Sequence, residues 1–99
     1  IVDDNKISML DYQKKILGLE PLEEKFAAFG WEVKSADGHN VEQLYLSLSG
    51  FADSNNNKPK VLIANTHKGN GIAQLQGDPL CHIKSLSAKE IDTLVENCR

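Results

Sequence analysis

Lys60-Val61-Leu62-Ile63-Ala64-Asn65 sets four apolar residues on consecutive positions between a lysine and an asparagine. A strand with one wet face alternates apolar and polar side chains, whereas a strand covered on both faces reads as a continuous apolar run. The stretch therefore predicts a strand over 60–65 buried on both faces, as in a parallel sheet lined by helices. Parallel neighbours need crossover connections, and the residues on either side supply them.

Upstream, Val41, Leu44, Tyr45, Leu48 and Phe51 keep helical spacing, which predicts a helix from 41 to about 52. Asp37-Gly38-His39-Asn40 is turn chemistry leading into it, with Asn40 as its N-cap. Trp31-Glu32-Val33-Lys34-Ser35 alternates and predicts a short strand. A helix over 22–29 precedes it. Pro21 opens that helix, Glu23 and Glu24 lie in its first turn, Leu22, Phe26 and Phe29 form an apolar stripe, and Gly30 ends it. Residues 7–21 have weak periodicity and read as loop with one short helical turn. Ile1 and Val2 read as the end of a strand broken by Asp3-Asp4-Asn5-Lys6.

Downstream of the central strand, Thr66 to Lys84 is glycine-rich and polar, an ordered loop or extended arm. Ser87 opens a capping box with Glu90, and Ile91, Leu94 and Val95 line a last helix. Asp53 to Lys58 is a polar surface loop. The order gives an α/β fold, a partial parallel sheet flanked by helices. Three strands are few for a sheet covered on both faces, and the opening Ile1-Val2 without Met resembles the middle of a strand. The expectation is that residues 1–99 are the C-terminal part of one domain in a longer chain.

Composition narrows the function classes. Ninety-nine residues suffice for one small domain, and 11 Lys+Arg against 14 Asp+Glu give a net charge of −3. That balance offers no basic excess for a phosphate backbone, so no nucleic acid partner is expected. No apolar run approaches the length needed to span a bilayer, so no membrane association is expected. Nothing at the start reads as a signal peptide. Cys81 and Cys98 form neither a disulfide framework nor a CxxC pair, which makes a reduced, cytoplasmic protein the expectation.

Three polar clusters fall after the proposed strands, at the carboxyl ends where open α/β sheets hold ligands. In Asp3-Asp4-Asn5-Lys6-Ile7-Ser8, an Asn side-chain oxygen and a backbone carbonyl two residues on could give a hard divalent cation two of its six oxygen ligands. From composition alone a plain turn is the simpler reading. In Asn65-Thr66-His67-Lys68-Gly69-Asn70-Gly71 the glycines allow close backbone approach to a phosphate and Lys68 adds charge, although neither a Walker loop nor a GxGxxG is present. In Asp78-Pro79-Leu80-Cys81-His82 the histidine could donate to a phosphate or move a proton, and a lone loop histidine is more often a solvated bystander. His39 reads as structural, and His67 is undecided. Cys81 has a histidine neighbour but no orienting partner for a nucleophile triad.

Taken in order, the motifs resemble one family. Ile1-Val2-Asp3-Asp4-Asn5-Lys6-Ile7-Ser8 is similar to the second half of the thiamine diphosphate motif of transketolases, a strand running into D-[DN]-N-x-I-[SQ]. Phe29-Gly30-Trp31, Asp37-Gly38-His39, Lys58-Pro59 and Thr66-His67-Lys68-Gly69-Asn70-Gly71 follow as in that family, then a histidine before the last helix. The likeness covers residues 1–98 and is nearest to the amino-terminal subunit of split transketolases.

The resemblance implies a thiamine diphosphate-binding fold and transfer of a two-carbon ketol unit from a ketose to an aldose, both sugar phosphates, with thiamine diphosphate and Mg2+. It implies Asn5 and Ile7 as metal ligands, through side chain and backbone carbonyl respectively. Cofactor contacts are implied for Asn5, Met9, Lys68, Gly69 and His82, and proton transfer near the reacting carbon for His82. Where many members have Ile, this chain has Lys68. The family's Gly-Asp-Gly, with the acidic metal ligand, would lie about 30 residues ahead of Ile1. The glutamate that activates the cofactor comes from a pyrimidine-binding domain, so the implied partner is the rest of the enzyme or a second subunit, in a homodimer or heterotetramer. A role in pentose phosphate carbohydrate metabolism follows. The family's Gly after the metal-binding Asn is Lys6 here, and the Gly after the last His is Ile83. Other readings are a different thiamine diphosphate enzyme, of the deoxyxylulose phosphate synthase or ketoacid dehydrogenase type, and a non-catalytic assembly domain.

Overall fold

The computed structural model describes residues 1–97. Seven elements follow one another: β1 (Val2–Asp4), α1 (Gln13–Ile16), α2 (Leu22–Ala28), β2 (Glu32–Asp37), α3 (Val41–Ala52), β3 (Lys60–Asn65) and α4 (Ala88–Asn97). The three strands form one parallel sheet in the order β1-β3-β2, which confirms the expected α/β class. From β1 the chain passes over the place that β3 later fills, lays down β2, and returns through α3 to the middle.

β3 is the run that decides the fold. Val61 to Ala64 are all buried, and Leu62 and Ile63 almost completely so. Leu62, Ala36 of β2 and Phe51 of α3 form the core, with Leu44 packed against them. Both α2 and α3 lie against β2 and β3. The apolar spacing of α3 overstates its buried face: Leu44 and Phe51 turn inward, while Val41, Tyr45 and Leu48 are exposed.

Two strands run further than their side-chain pattern suggests. β1 includes Asp3 and Asp4 because their backbone pairs with Ala64 and Asn65 of β3. β2 continues through Ala36 and Asp37, again paired with Ala64 and Asn65. All three strands thus reach the same level, and their carboxyl ends lie side by side.

The helix ends follow local chemistry. The Asn40 side chain accepts the Gln43 N–H at 3.0 Å and caps α3. α2 closes at Gly30, whose φ of +84° needs a residue without a Cβ. There the Trp31 N–H reaches the Phe26 carbonyl and the Gly30 N–H that of Ala27, while the Phe26 and Trp31 rings meet edge to face at 5.5 Å. Phe29, expected on the buried stripe, is instead the exposed last residue of that turn. Ser87 and Glu90 form the expected capping box at α4.

Candidate functional site

A cavity of about 590 Å3 opens at the carboxyl ends of all three strands. β1 contributes Asp4 and then Asn5, Lys6 and Ile7; β2 contributes Asp37 and then His39; β3 contributes Asn65 and then Thr66 and His67. Tyr12, Asn70 and Gly77 complete its wall from the two long loops.

The β1 corner is built around Asn5. Its side-chain oxygen accepts the Ile7 N–H at 2.9 Å, a turn that fixes the amide and leaves a second lone pair on that oxygen. On either side of Ile7, the Ser8 N–H donates to the Asp11 carbonyl and the Gln13 N–H to the Lys6 carbonyl. Among the described residues no hydrogen bond ends on the Ile7 carbonyl itself. Lys6, between them, holds φ at +60°, the left-handed conformation in which a glycine costs least. Its ammonium is shared between the buried Asp4 carboxylate and Glu20. Burial works to lower the Lys6 pKa, but the two carboxylates outweigh it and hold it above the usual lysine value. The same ammonium holds the Glu20 carboxyl below its usual range.

The donor set is selective. Asp4 is committed to Lys6, and among the described residues no group of three or more His, Cys, Asp or Glu side chains could hold a metal by itself. What remains at the corner is an amide oxygen and a peptide carbonyl, neutral hard donors. They suit an oxygen-seeking cation such as Mg2+ whose other ligands arrive with a bound phosphate or as water.

At the other two strand ends the backbone comes very close. The Gly38 N–H donates to the Asn65 carbonyl at 2.7 Å, and a Cβ at Gly38 would strike Thr66 and lie 3.1 Å from that carbonyl. The Thr66 hydroxyl donates to Asp3, tying β3 to β1. Asn65 reaches across to the Ser35 hydroxyl at 2.9 Å and the Ala36 carbonyl at 3.3 Å. Asp37 accepts the His39 N–H at 2.9 Å, and His39 Nε2 accepts the His67 N–H at 2.8 Å. The two imidazoles stack nearly parallel, 8° apart with centroids at 6.0 Å.

The glycine loop after β3 folds on itself. The Gly77 N–H donates to the Lys68 carbonyl at 3.2 Å and the Ile72 N–H to that of Gly69 at 3.0 Å. Gly69, at φ +74°, faces the Leu75 backbone so closely that a Cβ would lie 2.7 Å from it. The loop's own packing demands this glycine.

Of the residues singled out in the sequence, Asn5 and Ile7 come together on the cavity wall. Lys68 and Gly69 lie between His67 and Asn70, which line it, but are not themselves on that wall. Met9 is exposed in the 7–12 loop, and His82 is exposed in the turn at 78–83, both off the lining. The Asp78–His82 cluster closes locally: Asp78 accepts the Leu80 N–H at 2.8 Å and pairs with Lys84 at 3.0 Å, and these two contacts hold its carboxyl below the usual range. It does not follow a strand end directly; the third strand end on the cavity belongs to Asp37 and His39. His39 and His67, like Tyr12, Asp37 and Gly77, line the cavity although the sequence left them without a ligand-facing role. Their signal was position, each two residues past the end of a parallel strand.

Comparison with known proteins bears on the family of the chain. The family model of the transketolase thiamine diphosphate binding domain matches residues 1–98. An apulose-4-phosphate transketolase subunit of Actinobacillus succinogenes is 35% identical over 99 residues, covering 100% of this chain and 35% of the relative. The 6-deoxy-6-sulfo-D-fructose transketolase subunit SqwG of Clostridium sp. is 39% identical over 85 residues, covering 86% and 30%. A transketolase of Pongo abelii is 27% identical over 96 residues, covering 97% and 15%. The chain thus spans about a third of the length of the first two of these relatives.

Proposed function

We propose, from the premise that this chain belongs to the transketolase thiamine diphosphate-binding domain family, that it forms part of an enzyme moving a two-carbon ketol unit from a ketose to an aldose. The cofactor is thiamine diphosphate with Mg2+. The observation that carries this reading is the β1 corner, where the Asn5 amide oxygen and the Ile7 carbonyl lie on the cavity at the carboxyl edge of the sheet.

In this reading Asn5 and Ile7 would hold Mg2+ through two neutral oxygens, with its remaining ligands supplied by the diphosphate, by water and by the acidic residue expected upstream of Ile1. When bound, thiamine diphosphate supplies the nucleophilic carbon on which the two-carbon unit is carried. The protein's share is binding and orientation. The Asn5 turn presets the amide oxygen, which reduces the rearrangement needed on metal binding. Lys68 and Gly69 bring charge and backbone to the diphosphate, Met9 packs against the cofactor, and His82 contacts the diphosphate and assists proton transfer. In this reading the exposed Met9 and His82 are covered by the cofactor or by another part of the enzyme.

Relatives named as lettered subunits of a transketolase support a second polypeptide; in this reading it, or the rest of the enzyme, carries the pyrimidine-binding domain, in a homodimer or heterotetramer. Their named substrates, apulose-4-phosphate and 6-deoxy-6-sulfo-D-fructose, are sugars bearing an anionic group, which supports a sugar phosphate here. A cytoplasmic enzyme of pentose phosphate metabolism fits that chemistry. The matched relatives are named as transketolases, which places this reading ahead of other thiamine diphosphate enzymes.

The test is a transfer assay on the full polypeptide and its partner, with a ketose phosphate donor and an aldose phosphate acceptor. Two-carbon transfer that requires both thiamine diphosphate and Mg2+ is expected. Decarboxylation of a 2-oxo acid without ketol transfer would contradict the assignment, as would inertness toward both substrate classes.

A further inference from the structure

We propose that His39 is a positioning residue that anchors the glycine loop 67–77, and through it the Lys68–Gly69 backbone, to the rigid carboxyl edge of the sheet. The part concerning the cofactor rests on the functional reading above.

His39 is fixed from two sides. Its own N–H donates to the Asp37 carboxylate at 2.9 Å at the end of β2, and Asn40, the next residue, caps α3. Its ring therefore projects from the junction of two regular elements. Nε2 accepts the His67 N–H at 2.8 Å, so a neutral ring carries its proton on Nδ1. The near-parallel stacking of the His67 imidazole keeps the two rings in register.

The anchored loop has few other ties. Its internal hydrogen bonds, Asn70 N–H to the His67 carbonyl and Gly77 N–H to that of Lys68, shape it without attaching it to the sheet. The Tyr12 hydroxyl reaches the Gly77 carbonyl only at 3.4 Å, from another long loop. The bond to His39 is the one short contact, among the described residues, tying the start of this loop to a β2–α3 residue 28 positions earlier. His67 is exposed, so an amide released from His39 is hydrated at little cost to global stability. What is lost is loop position, one residue ahead of Lys68.

A glutamine at 39 can place an amide oxygen near the site of Nε2, whereas leucine of similar bulk offers no acceptor. The test uses the full polypeptide with its partner, as wild type, His39→Leu and His39→Gln. Amide exchange is followed in peptides covering 67–77 and 60–65 without cofactor, and thiamine diphosphate is titrated with Mg2+ present. In His39→Leu, exchange in 67–77 rises tenfold or more while 60–65 stays protected, and the dissociation constant rises at least fivefold. His39→Gln recovers most of both. Unchanged exchange in His39→Leu, equal exchange in the two variants, or loss of protection in β3 overturns the inference. Loosened exchange with unchanged cofactor affinity overturns its cofactor half. Wild-type protein that binds no thiamine diphosphate overturns the functional reading, while the exchange measurements still decide whether His39 anchors the loop.

Discussion

Lys6 occupies a left-handed backbone position while its ammonium neutralises a buried carboxylate, and these two effects oppose each other. A non-glycine residue at φ +60° costs roughly 1 kcal/mol relative to glycine. Leaving Asp4 buried without its cation costs about 1–2 kcal/mol, discounted because Lys6 itself is half exposed. Lys6→Met should therefore destabilise by about that amount in denaturant titration. Lys6→Gly should be milder by about 1 kcal/mol, because it relaxes the backbone as it removes the pair. The double change Lys6→Met with Asp4→Asn should recover most of the loss, and strict additivity would show that the pair is not coupled. The family resemblance exposed the missing glycine at position 6, but not what replaced its function. The Asp4–Lys6–Glu20 contacts depend on how the 7–21 loop folds back, and weak periodicity there says nothing about that path.

Among the elements, two glycines show how similar sequence signals carry different weights. Gly69→Ala would push a methyl into the Leu75 backbone at a left-handed position, so the 67–77 loop should open, with a loss of about 1–3 kcal/mol and faster proteolysis within it. Gly50, inside α3, faces only the Lys34 ammonium, which otherwise caps the Ser47 carbonyl at 3.2 Å and sits 4.6 Å from the Phe51 ring. A methyl there displaces a flexible side-chain tip, while alanine gains about 1 kcal/mol of helix propensity. Gly50→Ala should be close to neutral in thermal unfolding, and a loss as large as that of Gly69→Ala would refute the comparison. β2 carries a pH signature. Hydrogen bonds from Ser54 and then Asn56 hold the Glu32 carboxyl below its ordinary 4.5, aided by Lys60. A depressed folded-state pKa stabilises above the unfolded value, and that contribution is lost as pH falls through the folded one. The melting difference between wild type and Glu32→Gln should therefore be present at neutral pH and vanish on acidification below the ordinary glutamate value. A difference that persists into strong acid would exclude this origin. β3 was fully legible, because burial on both faces writes itself as an unbroken apolar run. The ends of β1 and β2 were not, since Asp3, Asp4 and Asp37 are strand residues only by virtue of their pairing with β3.

Across the whole molecule, the chain is thin and spread out. Its extents are 53 × 33 × 13 Å and its radius of gyration is 16.9 Å, against roughly 13 Å for a compact domain of this length. The core is correspondingly small, centred on Leu62 and its contacts with Ala36 and Phe51. α4 packs against none of the other described elements, and Ile91 and Val95 remain about half exposed. Stability should concentrate in the sheet: Leu62→Ala should cost about 2–5 kcal/mol, while Val95→Ala should cost well under 1 kcal/mol in this chain alone. The topology also explains which part of the site could be read beforehand. Asn5 and Ile7 are two residues apart, so their shared corner is local and visible in a motif. His39 and His67 meet only because β2 and β3 run in parallel register, with Asp37 opposite Asn65. The proposed function depends most on the Asn5 oxygen as a ligand of a divalent cation that serves a diphosphate cofactor. Its most direct test is equilibrium titration of thiamine diphosphate into the full polypeptide with its partner, with and without Mg2+, for wild type and Asn5→Ala. Metal-dependent binding that weakens at least tenfold in the variant, about 1.4 kcal/mol, is the predicted result. Equal affinity in the two proteins, or binding indifferent to Mg2+, would contradict it.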